Sequence, residues 1–185
     1  MAISRYNVVM HSASGVVGGL IQFSQRNGKT IIGKRRAKTS KATDAQLAIR
    51  QKFVKASNYA KASLENPERL ALYEAKASLG VTPYNLALKD YFTPPEIVEI
   101  INTSYTGAAG GRIDILATDD LVVKALSVSI YNAAGVMVES GEAVKTEEGF
   151  WHYTAAANLP QLAGAKIVAT ATDLPGNAGS AELVL

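Results

Sequence analysis

Hydrophobic and polar positions alternate from Ile21 to Ser24, where Ile21 and Phe23 are interleaved with Gln22 and Ser24. A period of two marks a half-buried strand. Extended segments are expected at 6–13 and 16–25, with Ser14-Gly15 as a turn between them. Gly18-Gly19 inside the second segment predicts a bulge or a close backbone approach. Asn27-Gly28 predicts a type I′ hairpin turn, because both central residues of that turn need positive φ. Thr30-Ile31-Ile32 is then the returning strand. A ribbon this small must pack on something to be stable.

The period changes at Thr43. Thr43 and Gln46 fit a capping box, and Asp44 complements the positive end of the helix dipole. Ile49, Phe53, Ala56, Ala60 and Leu64 recur at helical spacing as one apolar face, with Arg50, Lys52, Lys55 and Lys61 on the other. Asn66-Pro67 starts a second helix with proline in its first turn. Leu70, Tyr73 and Ala77 form its stripe, and Gly80 fits its C-terminal cap. Thr82-Pro83 opens a third helix carrying Tyr84, Ala87, Leu88 and Tyr91, which Pro94-Pro95 ends.

Beyond Pro95 the pattern is of strands, expected at 96–102, 111–118, 121–131, 136–140, 149–156, 165–172 and 179–185, with glycine-, asparagine- and proline-rich turns between them. Ile113 and Ile115 flank Asp114, Val128 and Ile130 flank Ser129, and Trp151 and Tyr153 flank His152. Short strands with regular turns read as a β-sandwich, with Trp151 as a core anchor. The expected architecture is α+β in two domains: a β-hairpin and helical module over 1–93, and an all-β immunoglobulin-like sandwich over 94–185.

Composition adds one strong constraint. Hydrophobic residues at 48% and charged residues at 19% fit a folded chain. The net charge of +3 conceals a division. Residues 1–92 hold 15 Lys and Arg against 5 Asp and Glu, a balance of +10, and residues 93–185 hold 4 against 11, a balance of −7. Such asymmetry speaks of partners more than of fold. There is no cysteine, so disulfides, thiolate metal sites and cysteine nucleophiles are excluded. No apolar run reaches the ~18 residues of a membrane span. A chain made in the cytoplasm without a signal peptide, and able to reside in a virion, is the expectation.

The final strands, Ile167-Val168-Ala169-Thr170-Ala171-Thr172-Asp173, the turn Pro175-Gly176-Asn177 and the segment to Leu185, resemble bacterial immunoglobulin-like and fibronectin-type-III-like domains. Such domains serve as spacers, adhesive tips and virion decorations, so the resemblance implies a fold and leaves the function open. Ser14-Gly15, Gly19, Gln25-Arg26-Asn27-Gly28-Lys29-Thr30, Ala45-Gln46-Leu47, Arg50 and Phe53 look like a group of uncharacterised Bacteroidota and phage-associated proteins. That resemblance implies a structural or virion role and carries no activity with it.

Catalytic chemistry finds little footing. His11 and His152 are not joined by carboxylates at ligand spacing. Asp119-Asp120 and Glu147-Glu148 are adjacent pairs, whose side chains diverge on a strand and are solvated in a turn. Asp173 and Asn177 carry oxygens of the type calcium takes, but as an isolated pair. Gly18-Gly19 and Gly110-Gly111 match neither a P-loop nor a dinucleotide fingerprint and read as turns or bulges. No cofactor, metal, membrane or small-molecule substrate is expected, and no enzymatic activity.

The cationic run Lys34, Arg35, Arg36, Lys38 and Lys41 stands out, extended by Lys29 on the hairpin and by Arg50, Lys52 and Lys55 on the first helix. It reads as a polyanion site, since phosphates attract cations without regard to sequence. It reads equally as a solvated connector. Aromatic residues are not interleaved with it, against single-strand stacking. A third reading joins the halves: the cationic module of one copy docks on an acidic face, Asp119, Asp120, Glu147 and Glu148, of another. Head-to-tail contacts of that kind build rings or filaments. The expected role is therefore a non-enzymatic structural or interaction protein of an assembly, a phage particle or surface filament, with nucleic-acid binding as the alternative.

Overall fold

The computed structural model describes residues 2–4, 13–26, 28–35, 41–78 and 80–185. His11, Asn27, Arg36 and Lys38, and most of the expected extended segment 6–13, lie outside the described residues. The chain divides into two compact units, Met1–Lys52 and Phe53–Leu185.

In the first unit, β1 (Ala2–Ser4), β2 (Gly15–Val17), β3 (Ile21–Arg26) and β4 (Lys29–Lys34) form an antiparallel sheet in the order β1-β4-β3-β2. Arg26 pairs with Lys29, so the β3–β4 loop is the expected two-residue turn, with Gly28 at φ 72°. Of the turn or bulge expected at Gly18-Gly19, the structure has a turn, and it divides the expected segment 16–25. These residues sit at φ 58° and 70°, and the Leu20 N–H donates to the Val17 carbonyl, closing a second tight turn. The segment 16–25 is therefore two strands.

Helix α1 (Asp44–Glu65) begins at the capping box. The Gln46 N–H donates to Thr43 Oγ1 at 3.3 Å and the Thr43 N–H to Gln46 Oε1 at 3.2 Å. Asn66 caps α2 (Pro67–Lys76) by accepting from the N–H groups of Glu68 and Arg69, and Thr82 caps α3 (Pro83–Asp90) by accepting from that of Asn85. Gly80 does not cap α2, which ends at Lys76 in an extended Ala77. Gly80 lies at φ 86° in the turn closed between Ser78 and Val81. The apolar stripe of α1 is buried only from Ala56 onward, whereas Ile49 and Phe53 are exposed. Ala60, Tyr73 and Ala87, with Leu64, Tyr84, Leu86 and Leu121, make a small helical core.

The remaining strands are β5 (Glu96–Ile101), β6 (Arg112–Thr118), β7 (Ala125–Tyr131), β8 (Met137–Glu142), β9 (Val144–Lys145), β10 (Trp151–Thr154), β11 (Lys166–Thr172) and β12 (Ala178–Val184). They form two antiparallel sheets, β5-β6-β10-β9 and β12-β11-β7-β8. Along β6, β7, β10 and β11 alternate residues are buried. Ile113, Ile115, Trp151 and Tyr153 of the first sheet share one core with Leu126, Val128, Ile130, Ile167, Ala169 and Ala171 of the second. The whole chain is thus α+β, with three antiparallel sheets and three helices among the described residues. Pro94-Pro95, the expected domain boundary, joins α3 to β5 within the second unit. The helices and strands of that unit are tied together by Lys76, which donates to the carbonyls of Asp120 and Leu121, and by Asn177, which donates to those of Asp90 and Tyr91. Among the described residues no helix is long and apolar enough to cross a membrane.

Candidate functional site

Among the described residues, the hairpin cations Lys29 and Lys34 do not share a face. Lys29 and Lys34 begin and end β4, and an odd separation along a strand sends side chains to opposite sides. Lys34 shares its face with Phe23, Ile32 and the buried Thr30, while Lys29 lies beside Arg26 and Ser24. The Arg35 N–H donates to the Leu20 carbonyl at 2.8 Å, which pins the end of the ribbon to the turn at Gly18-Gly19. Lys29, Lys34, Arg35, Lys41, Arg50 and Lys52 in the first unit, and Lys55 in the second, are all exposed.

Large apolar side chains accompany these cations. Val17 is 60% exposed and Leu20 70%, with Val16 and Ile21 also exposed on the same ribbon. Leu47 and Ile49 on the first turns of α1 are exposed too. β2 is an edge strand of three residues.

The expected acidic face separates into two kinds of residue. Glu147 and Glu148 are exposed in the turn between β9 and β10, which is closed by the Thr146 N–H donating to the Phe150 carbonyl. Asp120 pairs with Lys89 at 2.8 Å, and the hydrogen bond from that ammonium holds its carboxyl below the usual range. Asp119 is turned to the protein. Its Oδ2 accepts from the N–H groups of Leu121 at 3.1 Å and Val122 at 2.9 Å, which shapes the β6–β7 loop.

Asp119 belongs to a cluster that no local pattern announces. Asp90 at the end of α3, Asp119 in the β6–β7 loop and Asp173 after β11 each place a carboxylate oxygen within 4.8 Å of the other two. Asp90 and Asp173 are each 1% exposed. Asp173 Oδ1 accepts from the N–H groups of Gly176 and Asn177, and its Oδ2 from the Asn177 amide. Asn177 thus serves Asp173 as a donor, and the oxygens facing Asp173 are those of two residues distant in sequence. Asp90 Oδ2 accepts from the Tyr73 hydroxyl at 2.7 Å. Since Tyr73 gives that proton away, Tyr59 is the donor in the 3.2 Å contact between the two tyrosine hydroxyls. Burial pushes the Asp90 carboxyl up to about 6, against the Tyr73 hydrogen bond, and the charges of Asp119, Asp173 and Asp120 push the same way as burial. Burial likewise raises the Tyr73 hydroxyl. Asp90 Oδ1 and Asp119 Oδ1 are buried without a hydrogen-bond partner among the described residues. A cleft of about 140 Å³, lined by Tyr73, Lys76, Leu86, Lys89, Asp90, Asp120 and Leu121, reaches Asp90.

His152 lies opposite Asp114 in the β10–β6 register and contacts its carboxylate, which also accepts from Arg112 at 2.8 Å. Asp114 and His152 are half-buried, Arg112 is exposed, and all three lie outside the core.

No protein-family model matches the chain, and no curated protein matches it. Among solved structures, the chain is similar to a conjugative transposon lipoprotein from Bacteroides eggerthii, at 13% identity over 48% of this chain and 92% of that one, with a TM-score of 0.24.

Proposed function

We propose that the protein is a non-enzymatic structural or interaction component of a larger assembly, a phage particle or surface filament, built from copies that dock head to tail. The observation carrying this reading is the ribbon of the first unit, where exposed Val17 and Ile21 share a face with exposed Lys34, beside exposed Leu20 and Arg35. Apolar side chains clustered at a surface and rimmed by charge mark interaction sites. Among the described strands β2 lies at an edge of its sheet, the position from which strand addition extends a neighbour's sheet. Glu147 and Glu148, with Asp120, supply the complementary charge in the acidic half.

In this reading residues 94–185 are an immunoglobulin-like module. Lettering β5 to β12 as A, B, C, C′, D, E, F and G turns the two sheets into ABED and GFCC′, the partition of that fold. The residues of its core all lie beyond Pro95, which supports a module with its own packing.

Replacing Lys34, Arg35, Arg36 and Lys38 together by Ser is expected to abolish self-association in light scattering. Neutralising Asp120, Glu147 and Glu148 should imitate that loss, and charge-swapped partners should recover assembly when mixed. Asp119 is left out because its carboxylate is held by Leu121 and Val122. The exposed cations favour one alternative, binding to nucleic acid. On that reading the quadruple variant loses affinity for any duplex, and its salt slope flattens by up to about four contacts at ~0.9 each. The placing of Lys29 and Lys34 on opposite faces, among the described residues, favours docking over a phosphate track that uses both.

A further inference from the structure

We propose that Asp90, Asp119 and Asp173 form a calcium site that clasps the end of α3 to the β6–β7 and β11–β12 loops. The spacing fits one ion. Oxygens bound at about 2.4 Å to a common calcium lie no more than ~4.8 Å apart, and one oxygen of each carboxylate falls within 4.8 Å of the others. The site also has unmet demand. Asp90 is 1% exposed, and its Oδ1 has no hydrogen-bond partner among the described residues. Asp119 Oδ1 is buried in the same condition. Buried polar atoms are as a rule paired, with protein, water or an ion. Here two such atoms belong to carboxylates that face a third.

Charge points the same way. Four carboxylates, Asp90, Asp119, Asp120 and Asp173, meet two ammonium groups, Lys76 and Lys89. Lys89 is paired with Asp120, and Lys76 with the carbonyls of Asp120 and Leu121. Asp90, Asp119 and Asp173 form no ion pair among the described residues. Two positive charges are missing, the charge of one divalent ion. Hard oxygen donors exclude a preference for soft metals. A cage of carboxylates from three separate elements suits calcium, whereas magnesium keeps most of its water and binds through one or two carboxylates. The remaining donor bonds serve to set the cage. Tyr73 orients Asp90, the N–H groups of Leu121 and Val122 orient Asp119, and Gly176 and Asn177 orient Asp173.

The test uses the full chain freed of metal by chelation. Terbium added to the wild type should give emission sensitised through Tyr73, because its ring carries the hydroxyl bound to Asp90. Calcium up to about 5 mM, the range of weak all-oxygen sites, should quench that emission and raise the melting temperature in parallel. Asp119→Asn keeps an oxygen for Leu121 and Val122 yet removes a charge, and should weaken calcium at least ten-fold. Asp120→Asn, outside the three, removes a charge but no ligand and should weaken calcium less than Asp119→Asn does. Failure of Asp119→Asn to fold would leave the wild-type terbium and calcium responses to decide. No terbium emission and no calcium shift would overturn the site. Equal displacement by magnesium would overturn the calcium assignment. A melting temperature blind to both ions but rising on acidification would mean that a shared proton takes the ion's place. These readings do not involve self-association, so they stand or fall apart from the assembly proposal.

Discussion

Trp151→Ala is expected to cost about 3–5 kcal/mol of folding stability, the range of large-to-small changes in a packed core. Trp151 is the chain's one tryptophan and is 6% exposed. It lies on β10 opposite Ile115 of β6 and Lys145 of β9, in the core shared by both sheets of the second unit. An aromatic side chain of this size contributes 150–250 Å² of buried surface, roughly what two aliphatic residues supply. The Lys145 ammonium lies 6.0 Å from the ring centroid, at the outer limit of a cation–π contact, so packing is the main term. Urea unfolding followed by circular dichroism measures the loss directly. Wild-type emission should be blue-shifted and move to that of free indole on unfolding. A variant within about 1 kcal/mol of wild type would show that the two sheets do not depend on this side chain.

Gly179→Ala should be nearly as damaging, for a different reason. Gly179 lies on β12 opposite Ala171 of β11, where no positive φ is called for. What requires glycine is the approach of another strand. A Cβ at 179 would run into the Pro95 carbonyl oxygen and lie 2.9 Å from its carbonyl carbon. Pro95 is buried, its φ is fixed by its ring, and it leads directly into β5, so the clash cannot be relieved by a side-chain rotation. Overpacking usually costs about 1–3 kcal/mol, and a clash with backbone belongs at or above the top of that range. Gly33→Ala is the control, since a Cβ there meets nothing within 4 Å. Equal melting temperatures for the two variants would contradict the close crossing of Pro95 over β12.

What was readable in the sequence was what is decided locally. Thr43 with Gln46, Asn66-Pro67 and Thr82-Pro83 each place a helix start correctly, because a cap is made by residues within one turn of the orphan N–H groups. The two-residue loop between Arg26 and Lys29 fixes the β3–β4 register for the same reason. All seven expected strands after Pro95 have counterparts, with Trp151 and Tyr153 inward as their alternation implies. Gly18-Gly19 licenses a bulge and a tight turn alike, and only the pairing of Val17 with Ile21 decides for the turn that splits the segment 16–25. The strand β9 holds two residues and has no period of its own. Ile49 and Phe53 follow a helical stripe faithfully, but periodicity cannot say where the covering helices stop. The Asp90, Asp119 and Asp173 cluster was illegible for the deepest reason. Its members come from a helix end and two loops, and tertiary folding alone brings them together. The only hint was Asp173 with Asn177, and there the asparagine proves to be a donor to the carboxylate.

Self-assembly through the cationic, partly apolar ribbon is the proposal with the widest consequences. Light scattering on the purified wild-type protein across ionic strength, with and without duplex DNA, tests it most directly. The expected result is a mass above that of the 19.5 kDa chain at low salt, falling as salt screens the docking charges over about 10 Å, with weak binding to DNA. A protein of single-chain mass at every salt concentration that binds DNA below about micromolar, tighter than non-specific contacts provide, would contradict it.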